Sequence, residues 1–143
     1  MAVKTISGSS IVLSLDLSTG TTPVAIMGAT TGTLNVNQET IDVTNKDSSG
    51  LKEYINGVKS WSVDCEAFTT GNGTAVNKDG IIAQLVAGTS IFIQFRDGSG
   101  QSASKKYTGR GFITSVSETA NVGEFGTYSV SIQGTGALSV ASA

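Results

Sequence analysis

Asp64 and Glu66 stand two residues apart in "SWSVDCEAF", a spacing that puts both carboxylates on one face of an extended strand. A pair of carboxylates, one protonated and one ionised, is the simplest equipment for general acid/base chemistry. Cys65 between them would be a nucleophile if its thiol were exposed and activated. The partners that such chemistry needs are absent from the composition. The chain has no histidine and Cys65 is its only cysteine. That excludes Ser-His-Asp and Cys-His catalysis, imidazole metal sites, an intrachain disulfide and a cysteine-based zinc framework. Without a cleft, a neighbouring base or a metal, the two carboxylates read as solvated strand surface, and Cys65, in phase with Trp61 and Val63, as a small core residue. The clusters "GNG" and "DGSG" do not follow a strand and open a helix, so they read as turns and not as phosphate cradles. No enzyme, metal or cofactor is expected.

The elements that must position these residues are strands. With 143 residues, 38% of them hydrophobic, the chain is long enough for one core and short for two, and a single domain over 1–143 is expected. Its 18 glycines are dispersed and it has a single proline, as in a β-rich chain with many turns. Eleven acidic against nine basic residues give a net charge of -2, which argues against a basic face that grips a phosphate backbone. The opening "MAVKTISGSS" has no apolar signal-peptide core, and no later run approaches a membrane span, so a soluble chain that does not use the general export route is expected, with no membrane binding.

Apolar and polar residues alternate from end to end. In "SIVLSLDL", Ile11, Leu13, Leu15 and Leu17 share a face opposite Ser10, Ser14 and Asp16, the pattern of a half-buried strand. "SWSVDCEAF" sets Trp61, Val63, Cys65 and Ala67 against Ser60, Ser62, Asp64 and Glu66. "SIFIQFRD", "GFITSVSE" and "TYSVSIQG" repeat the device, and shorter strands are expected in "TPVAIM", "TLNVN", "TIDVT" and "GALSVA". One segment differs. In "NKDGIIAQLVAGT", Ile81, Ile82, Leu85 and Val86 fall at helical spacing, Asn77 and Asp79 supply cap and first-turn chemistry, and Gly88 stands at the stop, which predicts a short helix over about residues 78–87. "RDGSGQSASKKY" has the composition of an exposed hairpin loop. The expected fold is mainly β, an antiparallel sandwich or barrel with one short flanking α-helix. Long strands of this kind leave edges that must be blunted or used for assembly.

"VTNKDSSGLKEYINGVKSW" predicts a long inter-strand loop at about residues 44–58. It begins with the Ser, Gly, Asn and Asp of a solvated tip and then carries Leu51, Tyr54, Ile55 and Val58. These side chains either fold back over the edge of their own core or contact another molecule.

The run "TLNVNQETIDVTNKDSSGLKEYINGVKSWSVDCEAF" resembles the N-terminal half of the major tail protein, or tail tube protein, of long-tailed bacteriophages. The likeness lies in the order of a strand ending in "IDVT", a "NKDSSG" loop, a "LKEYINGVKSW" return and an alternating strand. Leu51 stands where the family usually has an aromatic. A short helix after "NKDG", a strand of the "IFIQFRD" kind and a final pair of long strands extend the likeness over nearly the whole chain.

The resemblance implies a tail-tube fold that assembles as hexameric rings, with strands joined across subunits into an inner barrel and rings stacked into a DNA conduit. It implies a structural virion protein, placed in the virion tail after assembly in the host cytoplasm. Its partners would be other copies of itself, the tape measure, tail tip and terminator proteins, and DNA in transit only. On this reading Lys46, Asp47, Leu51, Tyr54 and Ile55 make inter-ring contacts, with Ser48, Ser49 and Gly50 as a flexible turn, and Ser62, Asp64 and Glu66 face the lumen. The alternatives are a tube subunit of a bacteriocin or secretion system, or a free-standing carbohydrate-binding or immunoglobulin-like module, which would present exposed aromatics to its ligand.

Overall fold

The computed structural model describes residues 12–17, 20, 22–26, 29–69, 78–97 and 105–142. Among these, seven strands and one helix form in the order β1 (Val12–Asp16), β2 (Val24–Ala25), β3 (Ala29–Asp42), β4 (Tyr54–Phe68), α1 (Lys78–Ala87), β5 (Ile91–Asp97), β6 (Lys105–Thr119) and β7 (Thr127–Ser142). Every strand pair is antiparallel, and the strands make one sheet in the order β2-β1-β5-β6-β7-β4-β3.

Period-two alternation sets the core. Leu34, Val63, Ile132 and Ile113 stand in one cross-strand row and Cys65, Val130 and Val116 in the next, so branched and small apolar side chains meet on one face. Val63, Val130, Ile132, Ile91 and Ile93 are fully buried. Complete burial of such a side chain stabilises the fold by about 1.5–3 kcal/mol. The sheet closes over this face. Gly32 on β3 lies four strands along from β5, yet a Cβ built on it would stand 3.5 Å from Phe95 Cε2 and 3.9 Å from Leu13 Cβ. The two ends of the sheet therefore face each other across the core, which is the sandwich geometry expected from the alternation.

Helix α1 occupies Lys78–Ala87 and is anchored by Ile81, which is completely buried, with Leu85 packed partly against the core. Lys78 Nζ donates to both carboxylate oxygens of Glu118 on β6 at 2.9 and 3.1 Å, and these hydrogen bonds hold its ammonium above the usual lysine range. Val86 remains exposed although it shares the apolar spacing. Asn77 and the hairpin loop over residues 98–104 lie outside the described residues, as do Ser10 and Ile11.

Several expectations need correction. "TLNVN" and "TIDVT" belong to one strand, β3, and "TYSVSIQG" and "GALSVA" to another, β7. In β7 the interruption is a bulge: Gly136 adopts φ +74° between the pairs Arg110/Thr135 and Thr108/Ser139. Strand β1 is buried on both faces and not half-buried, with Ser14 and Asp16 enclosed along with Leu13 and Leu15. The chain crosses over its polar side: Thr22 N donates to Asp16 Oδ2 at 2.8 Å, and Arg110 donates to Gly20 O at 3.3 Å. The loop expected at about 44–58 is shorter, because Tyr54, Ile55 and Val58 already lie in β4.

Candidate assembly surfaces

The outer face of β3, β4, β7 and β6 is polar except for Phe112, in the row of Ser62 and Gln133, and Phe68 at the end of β4. Asp64 and Glu66 point away from the core between buried Val63, Cys65 and Ala67, with Ser62 half-buried beside them. Asp64 is held from both sides: Asn35 Nδ2 donates to Oδ2 at 3.2 Å and Ser131 Oγ to Oδ1 at 2.8 Å. Thr31 Oγ1 donates to Glu66 Oε2 at 3.3 Å, and Thr114 Oγ1 to Ser131 O at 3.0 Å. The two carboxylates accept from neutral donors only among these bonds, so the face keeps its negative charge within a hydroxyl and amide lattice. Sequence reading singled out Ser62, Asp64 and Glu66 but missed Thr31, Asn35 and Ser131. Their alternation was visible; the register that brings them to Asp64 was not.

Beyond this body β3 and β4 continue as a two-stranded arm. Strand β4 pairs with β7 only from Ser62 onward, whereas its pairing with β3 runs back to Asp42 and Tyr54. The tip closes with its own hydrogen bonds. Asn45 caps the 3-10 turn Lys46–Ser48 through a reciprocal bond with Ser48, Ser49 and Gly50 take positive φ, Leu51 N donates to Ser48 O at 2.9 Å, and Val43 N to Glu53 O at 2.9 Å. Thr44 donates to Asp42 through its hydroxyl and its backbone N–H and holds that carboxyl below the usual range. The expected flexible turn is thus an internally bonded one. Lys46 and Asp47 sit in the 3-10 turn, and Leu51 just after it is 72% exposed.

Tyr54 and Ile55 are brought to the arm but not to one surface. Ile55 pairs with Ile41 on one side of the ribbon, and Tyr54 pairs with Asp42 on the other. Val36, Val43 and Val58 add exposed apolar surface that the site assignment left out. Exposed apolar side chains thus stand on both faces of the arm among polar ones such as Asp42 and Asn56, and a two-stranded ribbon has little stability of its own.

Two edges lack a partner strand among the described residues. The outer side of β3 pairs with no strand, and β5 covers β6 only as far as Gly111, so residues 112–119 pair with no strand on that side, where α1 packs against β6 and reaches Glu118 through Lys78. Both belong to the four-strand part of the sheet that carries the polar face.

A family model described as phage tail tube protein matches residues 5–140. No curated protein sequence matches the chain. Among solved structures the chain is similar to a chain from the tail of an empty gene transfer agent particle determined with C6 symmetry, at TM-score 0.77 and 22% identity over 95% of this chain and 98% of that one. It is similar to the SPP1 tail tube subunit at TM-score 0.77 and 14% identity, over 97% and 80% of the two chains. A chain of the anti-feeding prophage baseplate, solved with six-fold symmetry, gives TM-score 0.72 at 7% identity over 99% and 98%.

Proposed function

The chain belongs to the phage tail tube protein family, and we propose that its copies close edge to edge into hexameric rings that stack into a DNA conduit. As a family member it is a structural tube subunit. The observation that carries the ring reading is the pair of edges that lack a partner strand. Three antiparallel steps lead from β6 through β7 and β4 to β3, so β6 and β3 run in opposite directions. Copies repeated by rotation keep one polarity, and β3 of one copy then meets residues 112–119 of the next in the same antiparallel sense as the rest of the sheet. Such a contact is heterologous and satisfies both edges only when the ring closes. The C6 symmetry of the similar gene transfer agent tail supports six as the closing number.

The polar face then lines the lumen. Ser62, Asp64 and Glu66, with Asn35 and Ser131 around them, give a wall mainly of neutral hydrogen-bonding groups with two carboxylates per copy, interrupted by Phe112 in the row of Ser62. That wall weakly repels passing phosphates, where a lysine-lined one would bind them. The arm, with Lys46, Asp47, Leu51, Tyr54 and Ile55, reaches the adjacent ring. The end rings leave unfilled contacts for tail tip, terminator and tape measure proteins. Assembly takes place in the host cytoplasm and the product resides in the virion tail.

Electron microscopy of the purified protein tests this directly. Hollow tubes or rings with sixfold rotational averages are expected; a monodisperse monomer at every concentration would overturn the reading.

A further inference from the structure

At the end of β4 opposite the arm lies a second apolar surface. Phe68 and Phe125 meet edge to face with ring centroids 6.2 Å apart, Phe125 is 86% exposed and Val122 is fully exposed. Apart from the contact with Phe68, their own chain leaves these two side chains uncovered, and contiguous exposed apolar surface of this kind marks an interaction site. The turn that holds them is nevertheless well fixed: Glu124 N donates to Asn121 O at 3.2 Å, Asn121 Nδ2 to Glu124 Oε2 at 3.1 Å, and Thr69 N to Gly126 O at 2.7 Å.

We propose that Phe68, Val122 and Phe125 form the seat for the arm tip of a second copy in the next ring. This rests on the stacked-ring reading above and names the surface that the arm engages. Three observations favour a second copy as the occupant. The tip and the patch lie at opposite ends of the same strand, Tyr54 at one and Phe68 at the other, so translation along the stack brings one onto the other without using up either. Both are preformed by local hydrogen bonds, which keeps the ordering cost of docking low. The tip also carries two exposed lysines, Lys46 and Lys52, interleaved with Asp47 and Glu53, while Asp79, with an 85% exposed side chain, and Glu124 belong to the end that carries the patch and give those lysines carboxylates to meet. A packed aromatic contributes about 150–250 Å² of contact, enough for this small seat to matter once repeated around a ring.

A cross-linking experiment in assembled tubes tests the pairing. In a Cys65→Ala background, Leu51→Cys combined with Val122→Cys is treated with a short bis-maleimide. A ladder of covalent dimers, trimers and longer multiples is expected, with no ladder from either single cysteine. Separately, Val122→Ser with Phe125→Ser, both exposed positions, leaves the circular dichroism spectrum unchanged and yields rings that do not stack. Tubes that form from this variant as readily as from the wild type, or cysteine-bearing tubes that give no ladder, overturn the seat while leaving the tube reading intact. A wild-type protein that never forms rings or tubes would overturn both.

Discussion

The indole of Trp61 on β4 lies directly over Gly134 on β7: a Cβ on Gly134 would stand 2.1 Å from Trp61 Cε2. The same ring would meet a Cβ on Gly109 at 2.6 Å, and its Nε1 donates to Gly136 O at 3.3 Å across the β7 bulge. Gln133 Nε2 donates back to Trp61 O at 2.9 Å. The tryptophan therefore fills a channel that β6 and β7 keep open by carrying no side chain there, and it fixes the point where the arm leaves the body.

Gly134→Ala is expected to destabilise the subunit by about 3 kcal/mol, because the indole has no room to retreat without losing its hydrogen bond. Urea denaturation of the unassembled chain measures it. The double variant Trp61→Leu with Gly134→Ala should cost clearly less than the sum of the two single changes, since the clash is then removed. Simple additivity would show that the two residues do not oppose each other.

Cys65 and Tyr128 predict a loss of stability in alkali. Burial pushes the Cys65 thiol up to about 11, with Glu66 adding to the shift, and pushes the Tyr128 phenol up to about 12, with Cys65 adding. Both folded values lie above the unfolded ones, so the folded state holds these protons where the unfolded chain has released them. Stability is thus full below about pH 9 and falls as pH rises through the folded values, by on the order of 2 kcal/mol per group. Urea midpoints between neutral and alkaline pH should fall more steeply for the wild type than for Cys65→Ala or Tyr128→Phe. At neutral pH the native thiol should resist maleimide, and rapid labelling would contradict its burial.

Asp64→Lys with Glu66→Lys should leave tubes intact, because both side chains are exposed and their hydrogen bonds are surface bonds worth about 1 kcal/mol or less. DNA release through such tubes should slow at low ionic strength and recover in salt, as basic rings grip phosphates. Asp64→Asn with Glu66→Gln is the neutral control. An unchanged release rate in the lysine variant would remove this face from the lumen.

Replacing Leu51, Tyr54 and Ile55 by Ser should change subunit stability by no more than about 0.5 kcal/mol for each residue, as none of the three is buried. Stacking should be lost, leaving monomers or single rings by electron microscopy. A large drop in the subunit's own melting temperature would return the arm to its own core, and normal tubes would deny it a stacking role.

What could be read from the sequence follows the range of the forces involved. Alternation and helical spacing are local, and they located the strands around Leu13, Val63, Ile93, Ile113 and Val130 and the helix at Lys78–Ala87. Register is not local. Nothing in the sequence near Asp64 announces Asn35 or Ser131, which reach it through two different strand pairings. The bury-both-sides character of Ser14 and Asp16 likewise depends on a crossing segment. The seat residues Val122 and Phe125 did carry a signal, the same one that marked Leu51: large apolar side chains in a glycine-bearing turn.

The arm also has a joint. Between the pairs Gln38/Lys59 and Thr40/Asn56, Glu39 alone faces both Gly57 and Val58, and a Cβ on Gly57 would lie 3.1 Å from Glu39 Cβ. The ladder is interrupted there, in a stretch only two strands wide, while the body behind it is braced by seven. In a stack joined by such arms, the rings are the stiff links and the bulges the compliant ones. A bending load on the filament is then taken up as small rotations between rings, and the bore within each ring keeps its shape while the whole tube curves.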